Sequence, residues 1–413
     1  MRGRSVFALS VFVLVAALVI AVRWYETNRA SPEAASGTLV VNVTSGADRG
    51  PGTLREALFV VATASSAARI VLETPRIAVE TALPPIVNGH GVSVTAQPGR
   101  GVIDAHALTD GPVFDVAAPN TTLDGISVTG CPAAAVLVRA ARFHLHAATV
   151  SGCDVGVDIA GNATNLLIER NRFADDRVGV RFAAASRDSS VVGNEFSAER
   201  DAGVWAVSSE PDLKGTPFTV RDNHFDHDHA GVVAGNIPAL IERNELLAAS
   251  DAAVHLLGAG AIIRGNRVSG GSGFGIVAEG AREAVIEDNE LDGVAAYGIM
   301  VRGSSNTLVR ANRLHSCGYG VAFVLGDARN PSTAVDNVII EPRYDGIDVV
   351  GDSPILRRNQ VLRPHGLALR VTDFQPPGDA KTITAAPYFD GNLFGGATAR
   401  IAANGTPIEV HHR

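Results

Sequence analysis

One short motif recurs along the chain and constrains its fold more than any other feature. From Leu167 onward, the pattern apolar-x-x-Asn-x-apolar returns at intervals of about 22 residues. Its asparagines are Asn171, Asn194, Asn223, Asn244, Asn266, Asn289, Asn312 and Asn359, with a degenerate copy at Asn337. A Gly-Val or Gly-Ile pair follows most of these asparagines by eight or nine residues. A unit of this length with two or three short alternating strands is typical of one coil of a parallel β-solenoid.

Each repeated position has a physical role in such a solenoid. Residues one repeat apart are expected to stack at about 4.8 Å, so that the apolar positions form columns in the core. The asparagines are interpreted as a ladder at a turn, with amides bonded to each other along the axis. The glycines are interpreted as residues that permit a tight turn before the next strand. Two copies without the asparagine, Gly125–Cys131 and Ala147–Cys153, extend the pattern upstream.

This spacing resembles the right-handed parallel β-helix superfamily, which includes pectate lyases, alginate epimerases and carbohydrate-binding β-helix proteins. Residues Pro51–Leu58 are similar to the segment that opens many such helices. Thr53 and Glu56 form a capping box that predicts a helix over residues 53–67, which the resemblance implies closes one end of the solenoid. The predicted fold class is all-β, a single-stranded right-handed parallel β-helix of about 11–13 coils.

The N-terminal residues predict a membrane-spanning helix ahead of the β-helix. Ser5–Val22 carries no charge and follows Arg2 and Arg4. Eighteen helical residues span roughly 27 Å, close to the hydrocarbon thickness of a bilayer. A cleaved signal peptide is the alternative, but its apolar core would be shorter. The predicted division is 1–27 for a cytoplasmic stub and signal anchor, 28–37 for a linker and 38–413 for the β-helix. The expected location is the cell membrane, single-pass, with the β-helix on the extracytoplasmic side.

Composition excludes some partners and leaves others open. The chain of 413 residues has a net charge of −8 and no cluster of basic residues, which argues against a nucleic-acid partner. The three cysteines form no C-x-x-C pair, which argues against a cysteine-based zinc finger. Cys131 and Cys153 are one repeat apart, so a disulfide and small apolar side chains that fill the core both remain open.

Two faces of the predicted β-helix differ in their outward residues. Charges on the asparagine strands alternate in sign from coil to coil, which indicates a solvated face supported by ion pairs. The outward column two residues after the glycine has no such alternation. It holds Asp158, Arg181, Trp205, Val233, His255, Val277, Met300, Ala322, Asp348 and Arg370. The long insertions all leave one edge of the β-helix, a usual place for clefts: Ser208–Pro217, Gly326–Thr333 and Asp373–Tyr388.

The predicted catalytic residues lie in the turn Asp226–His229, with Arg181 from the column. Elimination or epimerisation of a uronic acid needs a cation, a base and an acid, roles that Arg181, His229 and His227 can fill. Asp226 and Asp228 would then orient the two imidazoles. Trp205, Asp158, His255 and Arg177 are the predicted substrate-binding residues. Alginate epimerases are similar in using an Asp-Pro-His-Asp motif on a coil turn, although this chain lacks the proline.

Simpler interpretations of these residues stay open. The Asp226–His229 turn can be a solvated loop, or it can bind a divalent cation through its two histidines; no metal site or other cofactor is assigned. Asp345, Asp348 and Asp352 are interpreted as a satisfied surface cluster. The aromatic residues Phe274, Tyr297 and Tyr319 are interpreted as a packing stack.

The predicted function is that of a membrane-anchored protein acting on an acidic polysaccharide, as a uronan lyase, an epimerase or a glycoside hydrolase. The pectate lyase motifs Trp-x-Asp-His and Arg-x-Pro-x-Arg are absent from the sequence. The alternatives are a non-catalytic β-helix that binds glycan or protein at the cell surface, and a periplasmic accessory factor that binds metal. The sequence leaves open whether the protein is an enzyme.

Overall fold

A computed structural model describes residues 37–160, 163–183, 188–208, 217–377, 381–395 and 401–408. The chain divides into two units, Met1–Leu39 and Val40–Arg413. Only residues 37–39 of the first unit are described. The second unit is a parallel β-solenoid of about 13 turns, whose coils contribute one strand to each of three sheets in the order sheet 1, sheet 2, sheet 3.

The strands of each sheet follow one another along the solenoid axis. Sheet 1 consists of Leu39–Val43, Ala68–Leu72, Val92–Ala96, Thr121–Asp124, His144–His146, Leu167–Glu169, Ser190–Val192, Phe218–Arg221, Ala239–Glu242, Ala261–Arg264, Val285–Glu287, Leu308–Arg310, Thr333–Val335, Ile355–Arg357 and Tyr388–Asp390. Sheet 2 consists of Arg76–Ala78, Val102–Asp104, Ser127–Thr129, Thr149–Ser151, Arg172–Ala174, Glu195–Ser197, His224–Asp226, Glu245–Leu247, Arg267–Ser269, Glu290–Asp292, Arg313–His315, Val338–Ile340, Gln360–Leu362 and Leu393–Gly395. Sheet 3 consists of Phe114–Val116, Ala134–Val138, Val155–Ile159, Val178–Phe182, Ala202–Val207, Ala230–Gly235, Ala252–Ala259, Phe274–Arg282, Tyr297–Arg302, Tyr319–Val324, Ile347–Val350, Leu369–Thr372, Ile401–Ala403 and Thr406–Ile408.

The register between coils follows the sequence repeat and builds the core. Ile168 of sheet 1 pairs with Leu145 in the preceding coil and with Val191 in the next, and all three are fully buried. In sheet 2 three phenylalanines stack in successive coils, with ring centroids 5.0 and 4.7 Å apart: Phe173, Phe196 and Phe225. The predicted stacking of residues one repeat apart is therefore confirmed.

The asparagine ladder lies at the turn between sheets 1 and 2. Oδ1 of Asn194 accepts hydrogen bonds from the backbone N and from Nδ2 of Asn171, both at 2.9 Å. Nδ2 of Asn194 donates to the carbonyl oxygen of Ile168 at 2.9 Å. The same amide-to-amide link repeats in every coil up to Asn392, and Asn337 is a full member of the ladder. The ladder predicted from the motif is confirmed.

The glycines that begin the sheet 3 strands are required by close packing. A Cβ on Gly203 would lie 2.6 Å from the Phe225 ring and 3.0 Å from the carbonyl oxygen of Gly231. Gly203 and Gly179 have no positive φ, so the turn explanation given above is wrong for them. The space beside each glycine is filled by the core side chain of a neighbouring coil.

The one helix among the described residues, Leu54–Ala62, begins where the capping box predicts and ends five residues earlier than the predicted Ala67. The Thr53 hydroxyl accepts from the backbone N of Glu56 at 3.3 Å, and the Glu56 carboxylate accepts from the backbone N of Gly52 at 2.6 Å. Its inward stripe is buried: Leu54, Ala57, Leu58 and Val61.

The transmembrane helix in the predicted fold class is wrong. Across the described ranges, no helix has both the length and the apolar character needed to cross a bilayer, and Leu54–Ala62 has only nine residues. Residues 5–22, on which that prediction depended, lie outside the described residues.

Cys131 and Cys153 form a disulfide between adjacent coils, with their Cα atoms 4.5 Å apart. This settles the alternative that the sequence left open. Cys317 is a buried free thiol, and burial raises its pKa to about 11. It is therefore protonated and unreactive at neutral pH.

Candidate functional site

The predicted catalytic turn directs its four side chains to different places. Asp226 points outward from sheet 2, and its Oδ1 lies 2.7 Å from Nδ1 of His227, whose side chain is 72% exposed. The Asp228 side chain is 1% exposed and turned into the solenoid. Nδ1 of His229 lies 3.0 Å from Oγ of Ser250 in the next coil. Among the described residues, Asp228 has no hydrogen bond to His227 or to His229. Its predicted role in orienting the imidazoles therefore stays a prediction.

Asp228 belongs instead to a column of three buried carboxyl groups inside the turn between sheets 2 and 3. Asp176 and Glu199 occupy the same position in the two preceding coils, and all three are at most 1% exposed. Oδ1 of Asp176 accepts from the backbone N of Cys153 at 2.7 Å, and Oδ1 of Asp228 accepts from the backbone N of Glu199 at 2.8 Å. Both Glu199 oxygens lack a hydrogen-bond partner in the part of the chain that is described. We call these three residues the acid column.

Burial sets the protonation of the acid column. Removal from water raises the pKa of Asp228 to about 7, an effect that the Glu199 N–H opposes only in part. Burial also raises the pKa values of Asp176 and Glu199, and the neighbouring carboxyls raise that of Glu199 further. These groups hold protons where ordinary surface carboxyls are ionised.

The outward column of sheet 3 has the register that the repeat predicts. Asp158 pairs with Arg181, and Arg181 pairs with Trp205 in the next coil. Nε and Nη2 of Arg181 contact the two carboxylate oxygens of Asp158 at 2.9 and 2.7 Å. Arg177, in the turn before this strand, bridges Asp154 at 2.6 Å and Asp201 at 2.8 Å. Three predicted site residues, Arg181, Asp158 and Arg177, are therefore already engaged in ion pairs.

Trp205 and His255 lie farther along the same face. Trp205 is half-buried and packs with Val207 and Leu257 against a buried cluster that includes Ala230 and Val233. Nε2 of His255 lies 3.5 Å from a Glu279 oxygen, and Arg302 approaches the other Glu279 oxygen at 3.5 Å. Trp205 thus keeps part of its ring at the surface beside Arg181.

A second polar group, which the sequence interpretation left as surface and packing residues, lies near the end of sheet 3. The rings of Tyr297 and Tyr319 stack with their centroids 4.4 Å apart. The Tyr344 ring is tilted against Tyr319, with the centroids 4.9 Å apart. Tyr344 is 55% exposed, whereas Asp345 and Asp348 are only 2% and 6% exposed. The Tyr297 hydroxyl donates to Oδ2 of Asp348 at 3.4 Å. We call these five residues with Arg370 the tyrosine site.

The two aspartates of the tyrosine site have different environments. Oδ2 of Asp345 accepts a charge-assisted hydrogen bond from Nε of Arg370 at 2.6 Å. Burial, and then the neighbouring Asp345, raise the pKa of Asp348. Burial beside Asp348 also raises the pKa of Tyr297 to about 12. Two buried carboxyl groups, one of them paired with an arginine and the other with a raised pKa, thus lie beside an exposed aromatic ring.

Burial explains why the sequence interpretation missed the tyrosine site. Asp345 lies just before the strand Ile347–Val350 and Asp348 lies on it, and both look like surface carboxyls in the sequence. Asp348 pairs with the fully buried Ala322 of the preceding coil and accepts from the Tyr297 hydroxyl. The signal that was present is the run of aromatic residues one repeat apart that leads to this acidic pair.

Other parts of the described surface offer less chemistry. A shallow depression of about 350 Å³ lies where sheets 1 and 2 meet, lined by Arg243, Asn244, Glu245, Gly265, Asn266, Arg267, Asp288 and Glu290. Its charges are those of the alternating columns, where Arg267 pairs with Glu290 at 3.2 Å. Among the residues with described positions, no three or more His, Cys, Asp or Glu side chains are grouped so that they could hold a metal ion.

Comparison with known proteins identifies the fold. Residues 212–361 match the family model described as the right handed beta helix region. No curated protein sequence matches the chain. The tailspike protein of E. coli bacteriophage HK620, as a double mutant, aligns with a TM-score of 0.57 and 14% identity, over 87% of this chain and 80% of its own.

Two further solved structures align over similar lengths. The A-module of a mannuronan C-5 epimerase from Azotobacter vinelandii has a TM-score of 0.50 and 13% identity, over 86% of this chain and 99% of its own. A surface adhesin of Streptococcus pneumoniae has a TM-score of 0.50 and 11% identity, over 86% of this chain and all of its own. At such identities the similarity concerns the fold alone. The solenoid of this chain therefore has the right-handed parallel β-helix fold.

Proposed function

We propose that the chain binds a polysaccharide along the outer face of sheet 3. The observation that carries the proposal is the exposed ring of Tyr344, which is tilted against Tyr319 with ring centroids 4.9 Å apart. Sugar rings pack well against aromatic faces, and carboxylates accept hydrogen bonds from sugar hydroxyls. Trp205 supplies a second aromatic surface on the same sheet.

The fold comparisons support this direction. One protein with this fold is a mannuronan C-5 epimerase, and two others are a phage tailspike and a surface adhesin. An elongated parallel sheet presents the same kind of position at every coil, which suits a ligand that is itself a repeating chain.

Binding is favoured over catalysis at the Asp226–His229 turn for a geometric reason. The Asp228 carboxyl is directed into the solenoid, and the Arg181 guanidinium is held by Asp158. One predicted orienting carboxyl is therefore buried and the predicted cation is already paired, which favours binding over the predicted chemistry in that turn.

Glycoside hydrolysis at the tyrosine site is the second candidate function. Glycosidases use one carboxyl as an acid and another as a base or nucleophile, in environments that separate their pKa values. Asp348, whose pKa is raised by burial, has the character of the acid, and Asp345 beside Arg370 has that of the carboxylate.

Glycan binding by the whole chain, compared with that of the Tyr344→Ala variant, tests the proposal. We expect affinity to fall about tenfold, since loss of one aromatic contact is worth roughly 1 kcal/mol or more. Tyr388→Ala is the matched control, because Tyr388 is 54% exposed but belongs to sheet 1. If no glycan binds, or if both variants lose affinity equally, the proposal is wrong.

The same preparations decide the second candidate. Incubation with each bound glycan, followed by chromatography of the products, should show cleavage that Asp348→Asn abolishes while binding persists. Binding without any product would leave the first proposal standing and reject hydrolysis.

A further inference from the structure

Four arginines at the outer face of sheet 3 are each matched by a carboxylate of an adjacent coil. Arg181 is held by both oxygens of Asp158. The other pairs are Arg139 with Asp115, Arg302 with Glu279, and Arg370 with Asp345. His255, the imidazole in the same column, lies beside the same Glu279.

A paired arginine is a poor receptor for a uronate. The bidentate contact directs Nε and Nη2 of Arg181 at Asp158, so an incoming carboxylate would have to displace a partner fixed on the neighbouring strand. The Asp158 side chain is 16% exposed and that of Arg181 35%, so the pair is also shielded from competing solvent. The Arg177 guanidinium is also occupied, because its donors are shared between Asp154 and Asp201.

The local field does not compensate for this pairing. The face carries the carboxylates of Asp115, Asp158, Glu279 and Asp345 against the guanidinium groups of Arg139, Arg181, Arg302 and Arg370, and the buried Asp348 adds no cation. The whole chain has a net charge of −8. A polyanion approaching this surface therefore meets no excess of positive charge that would steer it.

We propose that the glycan held by sheet 3 is a neutral polysaccharide, and this inference rests on the proposed function. Tyr344 and Trp205 supply the stacking surfaces for uncharged sugar rings. The Glu279 carboxylate, whose side chain is 43% exposed, keeps lone pairs that accept hydrogen bonds from hydroxyl groups, because a carboxylate has about four acceptor positions. The acidic glycan expected from the sequence is thus replaced by one without carboxylates.

A panel of defined polysaccharides tests the inference with the whole chain. Dextran, a mixed-linkage β-glucan and xylan are the neutral probes, and alginate and polygalacturonate are the acidic ones. At low salt, where electrostatic attraction is strongest, we expect at least one neutral polymer to bind ten times more tightly than either polyuronate. Tighter binding of a polyuronate overturns the inference and leaves glycan binding intact. Failure of every polymer to bind would reject the proposed function itself.

A variant that frees one arginine gives a sharper test. Asp158→Asn removes the charge that holds Arg181, so the ratio of polyuronate affinity to neutral-glycan affinity should rise at least tenfold. Asp336→Asn is the matched control, because Arg358 contacts both Asp336 oxygens at 2.8 Å in the turn between sheets 1 and 2. This control should leave the ratio unchanged. An equal rise in both variants, or no rise in Asp158→Asn, contradicts the role given to the Arg181 pair.

Discussion

At the scale of single residues, the acid column repeats the logic of the asparagine ladder with another functional group. Oδ1 of Asp228 accepts the backbone N–H of Glu199 in the preceding coil, as Oδ1 of each ladder asparagine accepts a backbone N–H. Unlike the ladder amides, Oδ2 of Asp176 and Oδ2 of Asp228 have no hydrogen-bond partner in the described part of the chain, and a protonated carboxyl tolerates this burial better because it carries no charge. The contribution of the acid column to the stability of the fold therefore depends on its carboxyl groups keeping their protons.

This dependence gives a pH prediction for the acid column. Unfolded carboxyls ionise near pH 4, whereas burial raises the pKa of Asp228 to about 7 and raises those of Asp176 and Glu199. The folded chain then binds more protons than the unfolded chain. The contribution of these groups to the free energy of unfolding is therefore greatest below about pH 4 and is lost as pH rises through about 7. Asp176→Asn should leave the free energy of unfolding unchanged at pH 4 and raise it by about 1–3 kcal/mol at pH 8.

Urea unfolding at both pH values provides the measurement, because the change is a difference between variant and parent. Asp175→Asn is the control, since Asp175 precedes Asp176 but is exposed. A difference that does not grow with pH would contradict protonation of the column.

At the scale of strands, sheet 3 depends on glycine because the core residues of the next coil occupy the place of a Cβ. The phenylalanine stack of sheet 2 reaches under the first residues of the sheet 3 strands, so that Phe225 fills the space beside Gly203. Leu246 does the same beside Gly231. The glycine and the large core residue are therefore coupled between coils.

Gly203→Ala should cost about 1–3 kcal/mol of unfolding free energy, because its Cβ would lie 2.6 Å from the Phe225 ring. Gly203→Ala should cost less in a Phe225→Ala background, because the ring that the new Cβ would meet is then absent. Gly89→Ala is the control: a Cβ there has no atom within 4 Å, and Gly89 has no positive φ. Thermal unfolding of each variant provides the measurement. An equal loss of stability in Gly203→Ala and Gly89→Ala would reject the packing explanation.

The sequence predicts this architecture well because the length of the repeat determines which backbone segments pair between adjacent coils. Strand register and the asparagine ladder follow from which residues lie one repeat apart, and the start of Leu54–Ala62 follows from its capping box. Burial at the turns does not follow from the period, so Asp228 looked like a surface group beside two histidines. Pairing between coils was also missed at Arg181, because the length of the repeat says nothing of which side chain its guanidinium contacts.

At the scale of the whole molecule, each coil contacts chiefly the coils on either side, and stability accumulates along the axis. The disulfide Cys131–Cys153 is a covalent link in this series, across a sequence separation of 22 residues. Disulfides are typical of proteins that fold in oxidising compartments, which favours an extracytoplasmic location for the β-helix.

Reduction of this disulfide should lower the free energy of unfolding by about 2–4 kcal/mol, since a closed loop restricts the unfolded chain. Urea unfolding of the Cys131→Ala/Cys153→Ala variant measures the loss without added reductant. Thiol labelling of the denatured parent should detect one free cysteine, Cys317, and three after reduction. Three labelled thiols before reduction would contradict both the link and the compartment it favours.

The regular spacing of the coils has a consequence for any long ligand. The thirteen parallel strands described for sheet 3 follow one another at about 4.8 Å, so the array extends roughly 60 Å along its axis. Once one segment of a polymer is held, its neighbours reach the next coils at a high effective concentration, and weak individual contacts add as avidity. Affinity then grows with the length of the oligomer until the array is filled, and longer chains gain nothing more.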